Sequence, residues 1–105
     1  MDFVLKIGDK FIKLDGRYLI KEKIEYNPFS FESVAGFYLR GDRILPVIDL
    51  QKALNLKRRS KRVFLVSDKC VFLVEYDSLS RGSEGEEIDL DSIFREVEKK
   101  LNGRS

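Results

Sequence analysis

The sequence has no histidine and no tryptophan, a single cysteine (Cys70), a single glutamine (Gln51) and two prolines (Pro28, Pro46) in 105 residues. Each shortage removes a class of function. Without histidine and with one thiol, the common zinc sites and the Ser-His and Cys-His nucleophile pairs cannot be assembled. A lone cysteine forms no internal disulfide, the usage expected of a reducing cytoplasm. Cys70 also sits beside Val71, Phe72 and Leu73 in an apolar run, where an inert core thiol is the expected role. No P-loop and no Gly-x-Gly-x-x-Gly pattern opening a helix is present, so the usual nucleotide phosphate cradles are missing. No apolar stretch approaches the ~20 residues that a membrane span requires, and the N-terminal MDFVLKIGDK lacks the apolar core of a secretory signal. The expectation is a soluble, cytoplasmic, non-catalytic domain with no metal, no cofactor, no small-molecule substrate and no membrane insertion.

Charge is what the chain has in quantity. Charged residues make up 36% against a usual level of about 25%, and the sparse amides point in the direction of thermophilic proteins. The two signs nearly cancel to a net +2, so no global field steers the molecule toward nucleic acid. Locally, Lys57–Arg62 reads KRRSKR and could contact phosphates. No aromatic residue interleaves with this run to offer bases a stacking platform. A small nucleic-acid-binding β-barrel acting through residues 57–62 is therefore the alternative function, and a solvated loop, balanced by the acidic stretch Glu84–Asp91, is the simpler reading.

The first 77 residues read as β. Short strands are expected over Phe3–Ile7 and Lys10–Leu14, separated by Gly8-Asp9. Asp15-Gly16 has the composition of a type I′ hairpin turn leading into a strand over Arg17–Ile24. Asn27-Pro28 interrupts the pattern, and Phe29 and Phe31 resume it. Val34–Leu39 and Ile44–Ile48 form a central hairpin around Gly41-Asp42. Simple alternation places Val34 and Tyr38 on one face and Ala35, Phe37 and Leu39 on the other; apolar residues on both faces imply a sheet that is covered or closed on itself. Asp49 suits the N-cap of a short helix with Leu50, Ala53 and Leu54 on one side. Arg62–Val66 and Cys70–Tyr76 follow as a further pair of strands. Residues 78–88 carry one large apolar residue before Ile88 and read as a polar linker. From 89 to 102 the spacing of Leu90, Ile93, Phe94, Val97 and Leu101 predicts a helix, capped by Asp89 or Asp91, with an apolar stripe that must be buried, most simply on its own barrel. Packing of that stripe on a neighbouring subunit is the other possibility.

The stretch VAGFYLRGDRILPVIDL, Val34 to Leu50, resembles the hallmark hairpin of the CheW-like family: Gly36, Leu39, Arg40, Gly41, Pro46, Asp49 and Leu50 fall in register with it. FVLKIGDKFIKL resembles that family's opening hairpin, and RVFLVSDKCVFLVEYD the hairpin that follows the motif. The resemblance implies a mostly β fold of small SH3-like barrels, here with an abbreviated second subdomain and a C-terminal helix, because the family continues with further strands where this chain runs into a polar segment. It also implies a non-catalytic adaptor in chemotaxis, docking to the regulatory domain of the histidine kinase CheA and to the cytoplasmic tips of chemoreceptors. Gly36, Arg40, Gly41, Asp42, Arg43, Pro46 and Asp49 are then the candidate interaction or motif residues. Each also has a purely structural reading: relief of crowding at the glycines, an edge or bulge at Pro46, a cap at Asp49. For Arg40 the family's arginine pairs with an upstream acid, for which Glu22 and Glu25 are the candidates.

Overall fold

The computed structural model describes residues 3–82 and 84–103. The strands are β1 (Phe3–Ile7), β2 (Lys10–Leu14), β3 (Leu19–Lys21), β4 (Asn27–Phe31), β5 (Val34–Arg40), β6 (Arg43–Asp49), β7 (Lys61–Val66), β8 (Val71–Tyr76), β9 (Ser78–Arg81) and β10 (Glu86–Glu87). Helix α1 (Leu50–Leu54) joins β6 toward β7, and α2 (Leu90–Leu101) ends the described chain. They build two sheets, ordered β10-β2-β1-β9 and β3-β7-β8-β6-β5-β4.

The larger sheet is apolar on both faces. Val47, Phe64, Val66, Val71 and Leu73 form one core, over which Ile24, Tyr26, Ala35 and Tyr38 fold. The opposite side chains, among them Ile48, Val63, Leu65, Phe72 and Val74, meet Leu5, Ile7 and Ile12 of the smaller sheet in a second, larger core. The residues between β3 and β4 thus cross a face of their own sheet, with the Tyr26 ring 6.0 Å from Phe64, and curl it into a barrel. Strands β7 and β8 are Val/Leu/Phe-rich because both of their faces are inside.

Helix α2 lays its apolar stripe on the shared core: Leu90 and Val97 are buried, and Ile93, Phe94 and Leu101 pack against it. Its cap is Asp89, whose carboxylate accepts the N–H groups of Asp91 (3.1 Å) and Ser92 (3.3 Å). The stripe is therefore satisfied within this chain.

Three sequence expectations are corrected. Asp15-Gly16 is not a type I′ hairpin turn. The Asp15 carboxylate accepts the N–H of Arg17 (2.9 Å), and this Asx turn needs no positive φ. The chain then passes from one sheet to the other, and the strand beyond is only Leu19–Lys21. Residues 78–88, expected as a polar linker, carry two strands among the described residues. Ser78–Arg81 lies antiparallel on β1, and Glu86–Glu87 pairs parallel with β2. The open edges of the smaller sheet demand backbone partners whatever side chains carry them. Gly82 and Gly85, with φ of +91° and +106°, serve this path, and a Cβ on Gly85 would collide with the Asp9 carbonyl. Finally, a bulge between Val34 and Gly36 breaks the simple alternation of β5. Val34 and Phe37 contribute to the shared core, and Ala35 and Tyr38 to the other.

Candidate interaction site

The motif residues gather on the β5–β6 hairpin, and most of them have structural work. Gly36 faces Pro28 across the β4–β5 ladder, where a side chain would strike the Asn27 carbonyl and the Tyr26 ring. Gly41 holds φ at +64° in the turn, which lets Arg40 and Arg43 pair directly across it. Asp42 and Arg43 project from that turn into solvent. Pro46 stands opposite Phe37, one residue before the parallel ladder with β8 begins at Val47. Although β6 is an interior strand, this half of it is flanked by β5 alone among the paired strands, and a missing N–H is tolerated there.

Arg40 braces the hairpin. Its guanidinium donates to the carbonyl of Ser67 (2.9 Å) and lies 3.5 Å from the Asp68 carboxylate, both in the β7–β8 turn. Its acidic neighbour is thus downstream in sequence; the upstream candidates Glu22 and Glu25 do not pair with it. Since Asp68 is 86% exposed, the carbonyl is the firmer partner.

Asp49 does more than cap. One of its oxygens accepts the N–H of Lys52 (3.3 Å), and both receive the Arg58 fork at 3.0 and 2.7 Å. Arg58 also approaches Glu75 (3.5 Å), as does Arg62 (3.8 Å), while the backbone N–H of Arg59 donates to Glu75 (2.8 Å) and its guanidinium to Asp77 (3.0 Å). These contacts settle the basic run. Its three arginines are neutralised by Asp49, Glu75 and Asp77, not by the stretch 84–91, and they tie the loop to α1 and β8. The acids of that stretch serve elsewhere: Glu86 pairs with Lys10, Glu87 with Lys13 and Asp91 with Arg17. A phosphate-binding surface over 57–62 loses most of its free cations. Gln51 completes the junction, donating to the Glu75 carbonyl (2.5 Å) and accepting its N–H (2.9 Å), a buried side chain acting as a strand would.

What sequence reading missed is the apolar face beside these residues. Leu39 and Ile44 are directly opposed across the hairpin and are 66% and 70% exposed. They share a face with Phe37 and Pro46, and Phe29 of β4, half exposed, packs its ring 5.4 Å from Phe37. A contiguous apolar strip therefore runs from the shared core out to the hairpin tip. Edge strand β4 carries Pro28 and an irregular register, which blunt it against strand addition, so side chains rather than backbone edge present this surface. The alternation that marks Leu39 and Ile44 as one face was legible in the sequence; its lack of a cover was not.

Among the described residues no group of three or more His, Cys, Asp or Glu side chains is placed to hold a metal ion. Cys70 is 2% exposed, and burial pushes its thiol up to about 12, leaving it protonated. Among the described residues no helix is long and apolar enough to cross a membrane.

Comparison with known proteins places this geometry. No family model and no curated protein matches the chain. Its fold is similar to the crystal structure of the scaffolding protein TtCheW from Thermoanaerobacter tengcongensis, with a TM-score of 0.57 over 82% of this chain at 16% identity. The fold is CheW-like. The chain spans 64% of that protein's length. Within this CheW-like fold, Gly36, Arg40, Gly41 and Asp49 serve the packing, turn and cap of the hairpin, and Leu39 and Ile44 stay exposed beside them.

Proposed function

We propose that this chain is a non-catalytic, cytoplasmic adaptor of chemotaxis signal transduction, which docks through the Leu39–Ile44 face of its β5–β6 hairpin to the regulatory domain of the CheA histidine kinase, to chemoreceptor cytoplasmic tips, or to both. The observation that carries the reading is the CheW-like fold shared with a scaffolding protein, together with an exposed apolar face on the very hairpin that bears the family-like motif. Apolar side chains at an interface centre supply most of the affinity, and the surrounding polar groups chiefly set orientation. Leu39 and Ile44 have the first character. Asp42 and Arg43 at the turn have the second.

Titration calorimetry against an isolated CheA regulatory domain and a receptor-tip fragment tests this. The expected result is measurable affinity for at least one, weakened by about 2 kcal/mol or more in the variant Leu39→Glu/Ile44→Glu. The melting temperature should stay close to that of the parent, since both side chains already face water. No binding to either partner by the folded parent protein would sink the proposal.

A further inference from the structure

A second surface begins on the other side of the same hairpin, where Arg40, next to Leu39 in β5, lines it. A cleft of about 500 Å³ opens between the crossover Gly16–Leu19, the β7–β8 turn and the first turns of α2, within the range of pockets that enclose ligand-sized groups. Its walls are apolar below and basic above. Tyr18, half-buried with its edge on Phe72 (6.4 Å), and the half-buried Phe94 line it with Leu19 and Val66. Around them stand Arg17, Arg40, Lys69 and Arg95, against the two carboxylates of Asp68 and Asp91.

The ion pairs show which of these charges are spoken for. Arg17 is held by Asp15 and Asp91, each at 3.1 Å. Arg40 has only the long contact to the exposed Asp68. Arg95 donates to the Ser92 hydroxyl (3.3 Å). Among the described residues neither Arg95 nor Lys69 has a carboxylate within ion-pair distance. The cleft thus offers an aromatic floor beneath cations lacking counter-charge. A small inorganic anion would find no enclosed donors here, because Arg40 spends its guanidinium on the Ser67 carbonyl and the remaining cations sit in water. A segment with apolar side chains on one flank and carboxylates on the other would satisfy both halves at once.

We infer that this cleft is a docking site for an acidic amphipathic segment of a protein partner, separate from the Leu39–Ile44 face. The inference rests on the adaptor reading for the partner being a protein; an adaptor that bridges two partners needs two such surfaces. Its charge preference rests on the cleft alone.

The test is an amide NMR titration of the full ¹⁵N-labelled chain with a synthetic helical Glu/Leu amphipathic peptide, with its Lys/Leu counterpart, and with a short single-stranded oligonucleotide. Saturable shifts at Lys69, Phe94 and Arg95 with the acidic peptide alone are expected. Affinity should fall about tenfold in Lys69→Glu/Arg95→Glu, as two exposed attractions become repulsions. Leu39→Glu/Ile44→Glu should leave these shifts unchanged. Equal response to the Lys/Leu peptide, tighter and steeply salt-dependent binding of the oligonucleotide, shifts confined to the hairpin face, or no shift would each overturn the inference. If kinase or receptor binding survives while the acidic peptide fails, the cleft proposal falls alone. If the peptide binds and neither chemotaxis partner does, the adaptor reading is what fails.

Discussion

Asp49 illustrates how much a single carboxylate can hold in a small domain. It closes the first turn of α1 and receives both arms of Arg58, so one side chain joins strand, helix and basic loop. A cap contributes about 1 kcal/mol, and a charge-assisted fork with a half-exposed arginine adds about the same. Asp49→Ala should therefore lower the unfolding free energy by about 2 kcal/mol, and Arg58→Ala by about half of that. Urea titration of both variants checks the order. Equal or reversed losses would show that the fork, not the cap, dominates. Arg40 makes the complementary point. Its residue type and place suggested either a strut or a contact, and the tertiary answer is a strut to the Ser67 carbonyl that leaves its exposed flank in the cleft.

At the scale of elements, the instructive case is the polar run after β8. Its composition describes a linker, yet β1 and β2 recruit it as edge strands, with Ile88 donating to the Phe11 carbonyl at 2.8 Å and Glu86 to that of Asp9 at 3.1 Å. Pairing of this kind uses only backbone and leaves no hydrophobic pattern to read. Gly85 is the point on which it turns. Its φ of +106° and its closeness to the Asp9 carbonyl forbid a side chain. Gly85→Ala should detach β10 locally, with faster hydrogen exchange at Glu86 and Ile88 and little change in β7 and β8. Unchanged exchange at those two amides would refute this account. The helices and the β5–β6 hairpin were legible because each has a side-chain signature: a 3.6-residue stripe with an aspartate ahead of it, or alternation around a glycine turn. The Asp15 turn misled because the same two residues serve an Asx turn as readily as a hairpin.

Over the whole molecule, the larger sheet joins two cores, and two titratable groups are held neutral within or against the shared one. Burial raises the Cys70 thiol from an ordinary value of 9.0 to about 12, and the Tyr18 hydroxyl from 10.0 to about 12. Both are neutral when protonated, so below their ordinary values they contribute no pH dependence. As pH rises past about 9 the unfolded chain ionises first, the folded chain binds more protons, and stability falls until the folded values are reached near 12. The melting temperature should decline steadily over this window. The variant Cys70→Val/Tyr18→Phe should decline less; an identical slope would remove these two groups as the cause.

The sequence by itself determined the class of the protein, its strand-rich body, the capped terminal helix and the absence of histidine-based chemistry, because these depend on local periodicity and on which atoms exist at all. It also carried the CheW-like motif on the hairpin. Only the tertiary structure decided which residues the motif touches, that KRRSKR is an internal ion-pair network with Asp49, Glu75 and Asp77, and that Leu39 and Ile44 remain uncovered. Contacts between residues far apart in the chain, and exposure itself, are properties of how elements meet, and no local pattern encodes them.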